Sequence, residues 1–159
     1  MLNVPVLRQS FELVVERSPN ITRRFYEILF ERYPKVRPLF GSTDRLAAQE
    51  KMLTGALVAV LDHVDDAPWL RQTLLSLGAK HVSYGVRDEM YPWVGESLLA
   101  TLAEVGGDDW TEEVATAWAD AIGAIAGLML EGARSMRDET ESSRLDTLRS
   151  AVVPVPPSP

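Results

Sequence analysis

The 159-residue chain contains no cysteine. That excludes disulfide frameworks, Cys-ligated zinc, thiolate catalysis and Cys-held iron–sulfur clusters. Histidine is almost as scarce: His63 and His81 are the only two, so a three-His metal site is impossible and any imidazole chemistry rests on this pair. Basic residues are short in supply, 16 against 23 acidic ones for a formal charge of −7. Such a balance argues against wrapping nucleic acid or docking on anionic lipid, both of which want clustered Lys and Arg. No apolar run is expected to approach the roughly 20 residues that span a bilayer, so no membrane partner is expected. Met1 to Arg8 shows no basic stretch leading into an apolar core, so no secretory leader is expected and the expected location is the cytoplasm. Also missing are a phosphate-cradling glycine–lysine loop, a dinucleotide glycine fingerprint and a G-x-S-x-G nucleophile turn.

What is present is the ordinary mix of a soluble globular protein, 46% hydrophobic and 25% charged. At about 150 residues per domain the length predicts one domain. Leu7, Phe11, Val14 and Val15 recur at helical spacing and mark a first amphipathic helix. Ser18-Pro19 reads as the cap and first position of a second helix, which carries Ile21, Phe25, Ile28 and Leu29 and stops at Pro34. A proline-bounded turn, Pro34 to Phe40, precedes a third helix from Thr43 to about Val64. Leu70, Leu74 and Leu77 mark a fourth, and Val94, Leu98, Leu102 and Val105 a fifth that closes at Gly106-Gly107. Asp109 and Glu112 have capping-box spacing for a sixth, which carries Val114, Trp118, Ala121, Ile125 and Leu128. No segment alternates with period two between hairpin turns, so the predicted fold class is all-α.

The C-terminal stretch differs. Residues 134–149 are charge-rich, and Pro154, Pro156, Pro157 and Pro159 follow. Residues 1–133 are therefore expected to form the domain and 134–159 a disordered or weakly helical tail, too polar to offset its ordering entropy.

His81 follows Leu77 by four residues and Leu74 by seven, which aims it along the buried stripe of its helix. Two readings stand. It is a core histidine satisfied by a backbone carbonyl, or a neutral imidazole that serves as the single protein ligand of haem iron. The second needs a facing wall of bulky apolar groups with one or two hydrogen-bond donors, which Tyr26, Phe40, Gln49 and Leu53 could supply. His63, between Asp62 and Val64, reads as a surface residue near a helix end.

Several separated motifs resemble bacterial globins. They are Phe25 to Phe30, then Pro34 to Phe40, then Leu77 to Val86 around His81, then Tyr91 to Leu99, and finally Ala117-Trp118 on the last helix. The likeness runs from about Leu7 to Glu131. It is strongest to single-domain bacterial haemoglobins and the globin half of flavohaemoglobins, with some likeness to neuroglobin around Gly95 to Leu99. It implies a globin fold packed around haem b, with His81 as the iron ligand. The resemblance also places Phe40 flat on the porphyrin, with Leu53, Leu77, Val86, Tyr91 and Val94 around it. Tyr26 and Gln49 become the distal pair, donating hydrogen bonds to O₂, NO, CO or a similar small ligand. Gln is not an iron ligand, so a bis-histidine state is not expected. His63 does not supply one either, because it lies 14 residues beyond Gln49, about 21 Å along a helix. The sixth iron position is expected to be open or to hold water. Arg45 and Lys80 are conceivable partners of the haem propionates, or simply solvated charges.

One departure from the flavohaemoglobin pattern stands out. That pattern pairs a tyrosine, matched by Tyr91, with a glutamate near the proximal histidine. Ungapped counting from Trp118 puts the glutamate position at Ala133, with Glu131 two residues away and about 200° around the helix. Without that carboxylate the histidine is held by weaker acceptors, which favours reversible binding over peroxidase-like chemistry. The reading that follows is a haem globin binding O₂ and other diatomic gases reversibly, as carrier, store or scavenger. The alternative is a nitric oxide dioxygenase turning NO and O₂ into nitrate, which needs a separate flavin reductase. A haem-based sensor signalling through the tail and a cofactor-free helical scaffold complete the set. Monomer and homodimer are both compatible with the sequence.

Overall fold

The computed structural model describes residues 2–151, and among them every regular element is helical. Helix α1 (Val4–Arg17) starts where the Asn3 side chain accepts the Val6 amide at 3.4 Å. Helix α2 (Ile21–Arg32) begins two residues later than the Ser18-Pro19 signal suggested, with Asn20 at its cap. The reason is local: the Ser18 amide bonds back to the Val14 carbonyl at 2.8 Å, so Ser18 closes α1 instead of opening α2. A run of 3-10 turns, Pro34–Phe40, leads to Gly41 and then to α3 (Thr43–Asp62), capped by the Ser42 hydroxyl. Asp66 caps α4 (Ala67–Ser83), and α5 (Met90–Gly106) ends at Gly107, whose φ of 53° glycine adopts without strain.

Helix α6 (Glu112–Ala151) opens differently from its predicted capping box. The Thr111 hydroxyl accepts the Val114 amide at 3.3 Å, while Asp109 is turned away into an ion pair with Arg17. It also runs on without a break at Ala133. Residues 134–151, expected as disordered or weakly helical, continue the helix, and the proline-rich residues 152–159 lie outside the described residues. The absence of a membrane-length apolar run is likewise corrected: α6 is long and apolar enough to cross a membrane by length and composition. Alanines and glycines disguise this in the sequence. Here Ala117, Trp118, Ala121, Met129, Gly132 and Ala133 are buried against the other helices.

Three apolar clusters hold the helices together. The first joins α1, α3, α5 and α6 through Leu7, Val14, Leu61, Leu102 and Trp118. The Trp118 indole N–H is satisfied by the Ser10 hydroxyl at 2.8 Å, which itself donates to the Val6 carbonyl. The other two clusters frame the site described next. The α4–α6 crossing is unusually close. A methyl group on Gly78 would overlap the Met129 backbone, and one on Gly132 would overlap the Leu75 backbone. Each helix thus uses a glycine to accept the other's main chain.

Candidate functional site

Helix α2 and the turn after it build one side of the site. Phe25, Tyr26, Leu29, Val36 and Met90 form its buried centre, with Phe40, Leu53 and Val86 packed against them. Tyr26 stands edge-on to Phe40, ring centroids 5.2 Å apart, and Phe30 sits 5.4 Å from Phe40. Burial pushes the Tyr26 phenol up to about 12, and the Gln49 side chain within hydrogen-bonding reach offsets part of that rise. The hydroxyl therefore stays protonated, and two neutral donors, a phenol and an amide, stand together in an apolar setting. Phe40 and Leu53 both pack on the cluster that contains Tyr26.

Helix α4 builds the other side. His81 is half-buried, and its Nδ1 lies 2.7 Å from the Leu77 carbonyl. A carbonyl only accepts, so Nδ1 carries the proton and Nε2 is the nitrogen with a free lone pair. Desolvation lowers the His81 pKa below that of a free imidazole, which keeps the ring neutral. Leu77 and Val86 pack on the third cluster, whose buried members are Leu70, Leu74, Tyr91 and Met129. Val86 touches both this cluster and the Tyr26 cluster, and so connects the two sides. Val94 stands apart from them, 39% exposed on α5.

The remaining sequence candidates fall out as follows. Glu131 is exposed and bonds Arg71 at 2.6 Å, while the neighbouring inward position is Ala133, 1% exposed. No carboxylate from α6 meets Tyr91, and its buried hydroxyl lacks a hydrogen-bond partner among the described residues. His63 is no simple surface residue. It caps α3, holds the Ala59 carbonyl through Nδ1 at 2.9 Å and stacks on Trp69 with centroids 3.9 Å apart. Arg45 is exposed, its side chain alongside Gly41, and Lys80 is exposed next to His81. Sequence reasoning missed Val86 as a connector and the pairing of Asp88 with Arg137 behind it. It also passed over Gly78 and Gly132, although glycine inside a helix costs about 1 kcal/mol against alanine and signals a close approach.

A model of the globin family matches residues 23–129. The flavohemoprotein of Rhodopirellula baltica is 36% identical over 133 residues, an alignment that covers 82% of this chain and 33% of that protein. The flavohemoprotein of Bordetella pertussis is 34% identical over 132 residues, with the same coverage of each. The chain thus spans about a third of the length of these relatives. Among solved structures, a bacterial globin from Campylobacter jejuni superposes with a TM-score of 0.72 at 25% identity, covering 85% of this chain and 96% of that one. An engineered carbene transferase from Rhodothermus marinus, described as a candidate nitric oxide dioxygenase, superposes with a TM-score of 0.75 at 28% identity, covering 87% and 95%.

Proposed function

The chain belongs to the globin family, and from that premise we propose that it binds haem b through His81 and takes up O₂ and other diatomic gases reversibly. The observation that carries the proposal is the state of the His81 ring. It is half-buried and oriented by the Leu77 carbonyl so that Nε2 presents a lone pair, and burial favours the neutral form. A metal ligand needs that protonation state and that kind of hydrogen bond on its other nitrogen.

The surrounding residues fit the same group. Phe40, Leu53, Leu77 and Val86 offer apolar surface. When bound, haem supplies an iron centre that accepts a diatomic ligand, chemistry that no side chain here provides. The protein's part is to donate and to exclude. Tyr26 and Gln49 donate hydrogen bonds to a polarised gas, each worth about 1 kcal/mol in slower release, and the aromatic cluster of Phe25, Phe30 and Phe40 keeps water away. A histidine hydrogen-bonded to a neutral carbonyl is a weaker electron donor than one paired with a carboxylate. With Ala133 inward and Glu131 held by Arg71, this arrangement favours reversible binding over O–O bond cleavage.

Absorption spectra of the ferric, ferrous and CO-bound protein test the reading in one sample. The expected result is a Soret band that shifts on reduction and on CO addition; a purified chain that takes up no haem overturns it. The second reading, nitric oxide dioxygenase, is favoured by the flavohemoprotein relatives and the Rhodothermus neighbour. It requires a separate flavin reductase as partner. NO consumption beyond one equivalent, dependent on added reductase, supports it, and strictly stoichiometric consumption rules it out.

A further inference from the structure

The short segment between α4 and α5 is tied down at its centre. The Val86 amide donates to the His81 carbonyl at 3.1 Å, and the Val86 carbonyl accepts from Arg137 at 3.2 Å. Arg137 also pairs with Asp88, which Arg134 approaches at 3.5 Å from the same helix. One guanidinium thus holds both a backbone carbonyl and a carboxylate two residues further on. The charged donor makes each of these bonds stronger than a neutral one. Through Val86 the tie reaches the backbone of His81 and the side chain that touches both sides of the site.

We propose that Asp88 and Arg137 are positioning residues: the pair pins the segment after His81 onto α6 and thereby fixes how His81 and Val86 are presented. This deepens the reading of His81 as an iron ligand and rests on it. The hydrogen bond to Arg137 holds the Asp88 carboxyl below its usual range, so the pair is intact at neutral pH. A second ion pair on α6, Arg71–Glu131, joins that helix to α4 and provides an internal control. It is somewhat more exposed, and neither partner bonds the 84–89 segment. If ion pairs on α6 merely stiffened the fold, the two would change the same quantities.

The test uses the full chain with haem bound and four variants: Arg137→Met, Asp88→Asn, Arg137→Lys and Arg71→Met. Two quantities are read, amide hydrogen exchange at Val86 and the iron–histidine stretching band of the ferrous protein. Arg137→Met and Asp88→Asn should each speed Val86 exchange by about tenfold and displace the band. Arg137→Lys, which keeps the charge but loses the fork, should fall between them and the unaltered chain. Arg71→Met should change neither quantity. An unchanged band and unchanged exchange in both Arg137→Met and Asp88→Asn overturn the proposal, as does an equal response in Arg71→Met. If the unaltered chain takes no haem while Val86 exchange still responds to Arg137→Met, the ligand reading has failed. The pair is then a brace of the fold without a positioning role.

Discussion

Helices α3 and α4 both contribute to the site, and they are held in very different ways. Of the 20 residues of α3 only Leu61, at its far end, is buried. Its middle is attached by polar contacts, such as Thr54 with Thr22 at 3.1 Å and Glu50 with Arg23 at 3.7 Å. Helix α4 buries Leu70, Leu74 and Gly78 and meets α6 main chain to main chain. The helix that carries the candidate iron ligand is thus fixed by packing, which is bistable at best and resists gradual movement. The helix that carries Gln49 is held more lightly, by partly buried leucines and exchangeable polar contacts. A rigid ligand side and a compliant gas side suit a protein whose cofactor stays and whose gas comes and goes.

That contrast can be broken or sharpened by substitution. His81→Ala should have the largest effect, loss of the Soret band altogether; an unchanged spectrum would remove His81 from the ligand role. Gly132→Ala drives a methyl into the Leu75 backbone and should cost about 3 kcal/mol, a fall of roughly 10 °C in Tm. The same change at Gly55 on α3, where nothing lies within 4 Å, should instead stabilise by up to about 1 kcal/mol. Thermal melts of the two variants giving shifts of the same sign would contradict the rigid–compliant division. Tyr26→Phe removes one donor and should speed O₂ release about fivefold, at about 1 kcal/mol; stopped-flow displacement by CO measures it. Glu131→Gln should be the mildest, under about 1 kcal/mol for an exposed pair, with the iron–histidine band unmoved. A displaced band would show that Glu131 reaches the proximal side after all.

Much of the fold was legible because helical periodicity and proline punctuation are local signals. The apolar stripes at Leu7–Val15, Ile21–Leu29 and Leu70–Leu77 each became a helix in the expected place. Errors came where a local signal has two equally local outcomes. Ser18 could cap the helix ahead or close the one behind, and a backbone bond to Val14 decided it. Asp109 matched a capping box but found Arg17, 92 residues away in sequence, and no short-range rule contains that partner. The choice of His81 as the candidate ligand came from composition, since two histidines leave few choices, and from the motifs around it. The Asp88–Arg137 pair was not legible, because 49 residues separate two common surface residue types. The polar stretch after Ala133 was misjudged on composition. Its charges at three- and four-residue spacing, such as Arg134 with Asp138 and Asp146 with Arg149, suit a solvated helix as well as they suit a coil.

That uninterrupted α6 has a mechanical consequence. Every residue from Asp138 to Ala151 is exposed, so about four turns of helix stand beyond the last anchoring contact, a strut of roughly 21 Å. An unsupported helix of that length is marginal in water. It should therefore melt progressively toward Arg137, the hinge pin at which fraying stops. Anything attached beyond Ala151 would feel a stiff spacer when the strut is formed and a loose tether when it is not.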